Sequence, residues 1–211
     1  CPDWGIVMKY SLCMVFCLAC LPVISFAQQQ PPLPEIRPEI HKAADFFAEE
    51  ANSMWFGRLG PVTASASLPA ASGSSYGPAN LHDFLPGTAW AVPAGGIGQS
   101  VTWRFAQAWS DEVYAFNGKI AILNGYAKSE ALFMENNRVR SLVVYYNGRL
   151  FCRLALADSR ELQVFDISSL RSRLPARKAN DIFCFRIESI YKGTKYNDTC
   201  LSEMLFGSNG N

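Results

Sequence analysis

The sequence predicts an all-β sandwich of the jelly-roll kind, and three observations lead there. Short runs rich in branched and aromatic residues recur at 101–105 (VTWRF), 119–123 (KIAIL), 142–146 (LVVYY), 150–156 (LFCRLAL), 161–167 (ELQVFDI) and 182–190 (IFCFRIESI), each of strand length. Asn147-Gly148 separates two of them, a two-residue hairpin signal because a type I′ turn needs positive φ at both central positions. Only one segment, near the start, carries a helical period. The composition, 49% hydrophobic and 13% aromatic against 18% charged, belongs to a folded domain. Lys plus Arg is 19 and Asp plus Glu is 18, a net charge of +1, so no nucleic acid or anionic membrane is expected as partner.

Residues 1–27 are expected to be a signal peptide with an upstream extension before Met8. Lys9 is its positive start, 12–26 its apolar run, and Ser25-Phe26-Ala27 puts small residues at the −3 and −1 positions of a cleavage site near Ala27. The run falls short of the about 20 residues of a membrane span, so no stable span is expected after cleavage and the location is expected to be secreted or periplasmic. Cleavage would remove Cys1, Cys13, Cys17 and Cys20 and leave Cys152, Cys184 and Cys200. Export permits one disulfide among these three, with all three pairings open.

Residues 28–60 divide into a proline-rich tether, with Pro31, Pro32, Pro34 and Pro38 favouring extended geometry, and an amphipathic helix over 39–55. Ile40, Ala43, Ala44, Phe47, Ala51 and Met54 recur at three- and four-residue steps, and Glu49 and Glu50 face away. One helix cannot bury its own stripe, so it is expected to pack on the following domain or on a partner protein. The β domain occupies 61–206 and 207–211 is a tail. The glycines of 95–98 (GGIG) lack the phosphate-cradle patterns and are expected to turn the chain into the strand at 101–105.

Three stretches spread across the β domain resemble one family: 64–90 (ASASLPAASGSSYGPANLHDFLPGTAW), 123–140 (LNGYAKSEALFMENNRVR) and 187–204 (IESIYKGTKYNDTCLSEM). They are similar to the NADase-type glycan-binding domain, also called the NAD glycohydrolase translocation domain, a bacterial branch of the discoidin or coagulation-factor type C sandwich. The resemblance implies a discoidin-like jelly-roll β-sandwich that binds glycans. It implies no NAD hydrolysis, so no NAD is expected as cofactor. It also implies one structural Ca²⁺, with Asp83 and Thr88 of an early loop meeting Glu203 near the end. Calcium takes six to eight oxygens, so loop carbonyls would complete the set. Phe84 and Leu85 depart from the family pattern, which has glycine and a polar residue there.

Sugar rings offer an apolar face of C–H groups and a rim of hydroxyls, so a site needs a flat aromatic side chain beside forked polar groups. Two stretches supply that combination: Tyr126, Lys128, Asn136, Asn137 and Arg138 in the first, and Lys195, Tyr196 and Asp198 in the second. The resemblance implies that Trp90 lies in the core, and of the adjacent Tyr145 and Tyr146 one must point inward. Arg138 is a candidate partner of Asp198. No G-x-S-x-G elbow occurs, and neither His41 nor His82 has a nucleophile beside it. The sequence therefore points to an exported, non-catalytic glycan-binding module whose two polar stretches converge at one rim. The alternative is a protein-interaction domain that uses the same loops and the 39–55 helix.

Overall fold

The computed structural model describes residues 32–47, 55–56, 60–71, 73–105, 116–173 and 180–208. The signal peptide, the tether before Pro32, most of the second half of the 39–55 segment and the end of the tail lie outside them. Twelve strands follow in order: β1 (Glu35–Ile36), β2 (Glu39–His41), β3 (Trp55–Phe56), β4 (Val62–Ala64), β5 (Trp90–Val92), β6 (Ser100–Arg104), β7 (Phe116–Asn124), β8 (Asn137–Tyr146), β9 (Arg149–Ala155), β10 (Leu162–Asp166), β11 (Ile182–Tyr191) and β12 (Thr199–Ser208). The short helices α1 (Ala43–Asp45) and α2 (Glu130–Glu135) stand among them.

The strands form a sandwich. One layer runs β2-β10-β7-β12, with β3 and β5 also paired to β12. The other runs β4-β6-β11-β8, extended by β9 on β8 and by β1 on β9. The layers join at one corner, where β12 and β8 pair in parallel through Thr199–Asn137 and Cys200–Arg138. Between them lies an aromatic core. Trp103 meets Phe185 and Phe206 edge-on, with centroids 5.7 and 5.3 Å apart, an arrangement that the ring quadrupole favours. Trp90 is buried and its indole N–H donates to Ala66 O at 3.0 Å. Tyr146 is the inward member of its pair and bonds Asp181, while Tyr145 lies against Arg186.

Asn147 and Gly148 take φ of 47° and 75° and close the β8–β9 hairpin. Ala94, Gly95, Gly96 and Gly98 all take positive φ and turn the chain ahead of β6. At Gly96 a Cβ would collide with Val92, so glycine is required there for space as well as for φ.

The amphipathic helix expected over 39–55 is not what its first residues form. Glu39–His41 is a strand, antiparallel to β10 with Ile40 opposite Gln163. In the expected tether, Glu35–Ile36 pairs in parallel with β9. The edges of both layers carry open backbone groups, and this extended, proline-flanked segment satisfies them. Helix begins only at Ala43, where the N–H donates to Glu161 Oε2 at 2.8 Å. Phe46 is buried on the outer face of β7 and β10 with Leu123, Leu162 and Val164. Its apolar surface is thus spent on this domain and not held open for a partner protein.

Cys152, Cys184 and Cys200 are all free thiols. No helix among the described residues is long and apolar enough to cross a membrane.

Candidate functional site

The two polar stretches meet at one rim of the sandwich. Helix α2 starts on Ser129, whose hydroxyl accepts from Leu132 N–H at 3.2 Å, and ends on Asn136, whose amide donates to Leu132 O at 2.8 Å. The segment 193–198 is fastened to that end. Thr194 N–H donates to Met134 O, and the N–H groups of Lys195 and Tyr196 donate to Glu135 O, at 3.0, 3.1 and 2.9 Å. Gly193 N–H donates to Asn137 Oδ1 at 2.8 Å. The turn before β6 joins the same cluster, with Gly95 N–H donating to Asn197 O at 2.6 Å and Thr199 Oγ1 to Gly95 O at 2.8 Å.

On this framework the side chains divide sharply. Tyr196 is 40% exposed, with the Lys195 ammonium 4.8 Å from its ring centroid. Lys195 also lies 3.4 Å from Glu135, and the phenol and that carboxylate hold its pKa up. Met134 is exposed on the neighbouring helix end. Lys128 is exposed too, but its stem lies beside Gly87. Asp198 is half-buried, and its carbonyl accepts from Asn137 N–H.

Four expected sugar ligands are structural instead. Tyr126 is only 9% exposed and packs with Ala89, Ala91 and Cys200; burial first, then Tyr76 and Cys200, raise its phenol pKa. The small Ala89 and Ala91 of the adjoining segment leave a slot that this ring fills. Asn136 and Asn137 are buried and use their amides on the chain: Asn136 on Leu132 O, Asn137 on Asn197 and Gly193. Arg138, 4% exposed, pairs with Asp158 and not with Asp198. Its remaining N–H groups donate to Asn136 O and Lys192 O, and it covers the Phe133 ring at 5.1 Å. Asn124, the last residue of β7, is fully buried and clamps Val139 and Ala157.

Elsewhere, the loop after the 3-10 turn Pro78–His82 comes up to β12. Thr88 Oγ1 donates to Asp83 Oδ2 at 2.8 Å and Leu85 N–H to Asp83 Oδ1 at 3.0 Å. Phe84 takes φ of 59°, the left-handed conformation that glycine adopts most readily. Glu203 faces this loop from a fully buried position, and neither of its carboxylate oxygens has a well-formed hydrogen bond. Burial, then the Asp83 carboxylate, push its pKa up to about 9, against a smaller opposing pull from the N–H groups of Leu85 and Phe84. Two carboxylates, the Thr88 hydroxyl and the Leu85 carbonyl that it bonds are oxygens of the kind a hard cation takes, and an orphaned buried carboxylate is the feature such an ion would satisfy.

A two-layer sandwich closed at one corner, with an early loop meeting the last strand through a carboxylate pair and further loops crowded on a rim, defines a discoidin-like module. Residues 56–207 match the model of the NAD glycohydrolase translocation F5/8 type C domain, and the chain belongs to that family. Among solved structures it is similar to the CBM32-1 and CBM32-2 domains of Clostridium perfringens ZmpB in complex with GalNAc, with a TM-score of 0.53, 12% identity, and coverage of 86% of this chain and 41% of that one. It is also similar to the ZmpB structure that adds the M60 catalytic domain, with a TM-score of 0.53, 10% identity, and coverage of 88% of this chain and 18% of that one. The chain thus spans less than half of either relative. Among curated proteins, no sequence matches this chain.

Proposed function

We propose that this domain binds glycans, without catalysis, at the rim where the end of α2, residues 193–198 and the turn before β6 meet. The observation that carries this is Tyr196: a half-open aromatic face beside a lysine, on a loop pinned by hydrogen bonds to two other segments. The ring would stack on the C–H face of a sugar, with the Lys195 ammonium beside it as a hydroxyl donor. The ZmpB domains that share the fold are solved with GalNAc, which brings an amino sugar into the set to be tried. A shallow site of this kind binds weakly, at about 10 μM to 1 mM.

Export with cleavage near Ala27 accompanies this reading, because glycans of this kind are met outside the cytoplasm. One Ca²⁺ held by Asp83, Thr88 and Glu203 would tie the early loop to the last strand. It would act on the architecture and not on the sugar.

A glycan array probed with the exported chain tests the function. Binding should be lost in Tyr196→Ala and reduced in Lys195→Ala. Tyr126→Phe should bind normally, because its ring is not available to a ligand. An array without signal at high protein concentration, or one unchanged by Tyr196→Ala, would overturn the proposal.

A further inference from the structure

A second concavity lies away from Tyr196, under the segment that precedes the family domain. It is a cleft of about 580 Å³, within the about 300–1,000 Å³ of small-molecule sites. One wall is Glu35, Arg37 and Ile40, which lie outside the family's 56–207 match. The other is Arg140, Arg153 and Tyr191, from β8, β9 and β11. The wall is locked on by backbone pairing: Glu35 stands opposite Arg153 in the β1–β9 register, and Arg153 N–H donates to Pro34 O at 2.8 Å.

The charges in the cleft do not balance. Arg37 is paired with Glu35 at 3.1 Å, and Arg153 grips Glu188 through two bonds of 2.6 Å. Arg140 has no carboxylate and no side-chain hydrogen bond among the described residues. Its guanidinium sits 5.8 Å from the centroid of the Tyr191 ring, which is itself held by a bond of 3.0 Å from its hydroxyl to Leu156 O. An aromatic plate supports the guanidinium, and an exposed Ile40 stands across the same space. A guanidinium fork without a partner is a receptor for a planar carboxylate, while a ring and an aliphatic side chain suit the C–H faces of a pyranose.

We infer that this cleft is a second binding site, selective for a sugar residue that carries a carboxylate, such as a hexuronate. Arg140 would take the carboxylate in bidentate fashion, and Tyr191 and Ile40 would bracket the ring. The inference goes beyond the rim site and takes from it only that the ligand is a saccharide.

Titration of the exported chain with digalacturonate and with galactobiose, which lack or keep the neutral C6 alcohol, followed by NMR, decides the matter. Digalacturonate should bind about 10-fold more tightly than galactobiose, the value of one charge-assisted bond, and should weaken in 0.5 M NaCl. Arg140→Gln should remove that advantage without lowering the melting temperature, Arg140→Lys should keep part of it, and Tyr196→Ala should leave it intact. Equal affinity for the two sugars, full binding by Arg140→Gln, or equally effective competition by acetate would overturn the inference. A glycan array without neutral-sugar signal, alongside digalacturonate binding that depends on Arg140, would overturn the rim site and leave this one standing.

Discussion

Arg138 closes a two-pronged ion pair on Asp158, Nε to Oδ1 at 2.8 Å and Nη2 to Oδ2 at 2.6 Å, from a position almost without solvent. The pair ties the first residues of β8 to the connection between β9 and β10, just behind the rim. The Asp158 side chain is 38% exposed, so water can reach the guanidinium once the carboxylate is removed, and the loss is that of a charge-assisted hydrogen-bonded pair, about 1.5–3 kcal/mol. Asp158→Ala should therefore lower stability by about that amount in urea denaturation. Arg138→Lys in the parent should also lower stability, because an ammonium cannot reproduce the fork on Asp158. A change below about 0.5 kcal/mol would show that the pair is not the tie described.

The Ca²⁺ proposed at Glu203 and Asp83 would make the melting temperature depend on the ion. At a free Ca²⁺ concentration 100-fold above its Kd, binding to the folded state alone adds about 2.7 kcal/mol, a rise of about 5–10 °C in Tm for a domain of this size. Thermal melts in EDTA and in millimolar Ca²⁺ measure it. Glu203→Gln should melt higher than the parent in EDTA, since an amide is cheaper to bury than an unpartnered carboxylate, and should not respond to Ca²⁺. A parent protein indifferent to Ca²⁺ would remove the metal from the account.

Much of the fold is legible in the sequence because it depends on local chemistry. The Asn147-Gly148 turn and the strands around Trp103 and Phe185 follow from residue type and period, and the burial of Trp90 from the family resemblance. The start of the 39–55 segment does not. The ring it buries is Phe46, which stands outside the stripe of Ile40, Ala43, Ala44 and Phe47, and Ala44 is exposed; Ile40 lies in a strand because β10 offers it an open edge more than a hundred residues away, and long-range pairing overrides a weak local preference. The site shows the same split. Tyr196 and Lys195 are exposed loop residues, as their polar neighbours suggest, whereas Tyr126 and Arg138 have the residue types of a sugar site and the surroundings of a core. What buries them is Ala89 and Ala91 for the one and Asp158 for the other, and no spacing rule connects those positions. The Arg140–Tyr191 pair is invisible for the same reason: each strand is readable, but not the register that stacks them.

Acid sensitivity should centre on Glu188. Its hydrogen bond from Arg153 comes first, with a further one from Ser141, and together they hold its pKa below the ordinary carboxylate value despite partial burial. A group with a lowered folded-state pKa contributes stability that is present above its unfolded value, about 4.3, and is lost as pH falls through the folded one. Asp166, lowered by Ser168, acts in the same direction. Glu203, raised to about 9, works the other way and adds stability as pH falls from about 9 towards 4.3, so Tm in EDTA should rise from pH 7 to about 5 and fall below that. The fall should be shallower in Glu188→Gln, and an identical profile in that variant would shift the acid response to other groups.

The thiols should react in a fixed order. Cys152 lies in the core between the layers and Cys200 is buried with Ala89, Ala91 and Tyr126; burial pushes both pKa values to about 12, leaving almost no thiolate at neutral pH. Cys184 is only half-buried on β11. Timed alkylation of the native protein with peptide mapping should therefore modify Cys184 well before the other two, with the difference abolished in denaturant. Early labelling of Cys200 would mean that β12 opens locally.

The rim itself should fail at Gly193. A Cβ there would overlap the backbone of Glu135 and Asn136 at the end of α2, and backbone atoms cannot step aside as a flexible side chain can. Gly193→Ala should therefore push residues 193–198 away from the helix, straining the bonds that Glu135 O accepts from Lys195 and Tyr196. The core between the layers is remote from this contact, so the expected result is a Tm drop of a few degrees with a disproportionate loss of array binding, by about 10-fold or more when a platform moves by an ångström. Gly87→Ala is the control: a Cβ there would meet only the Lys128 stem, at 3.9 Å, and binding should be unchanged. If Gly193→Ala bound as well as the parent while losing the same stability, the Tyr196 loop would be a structural strap and not the glycan platform.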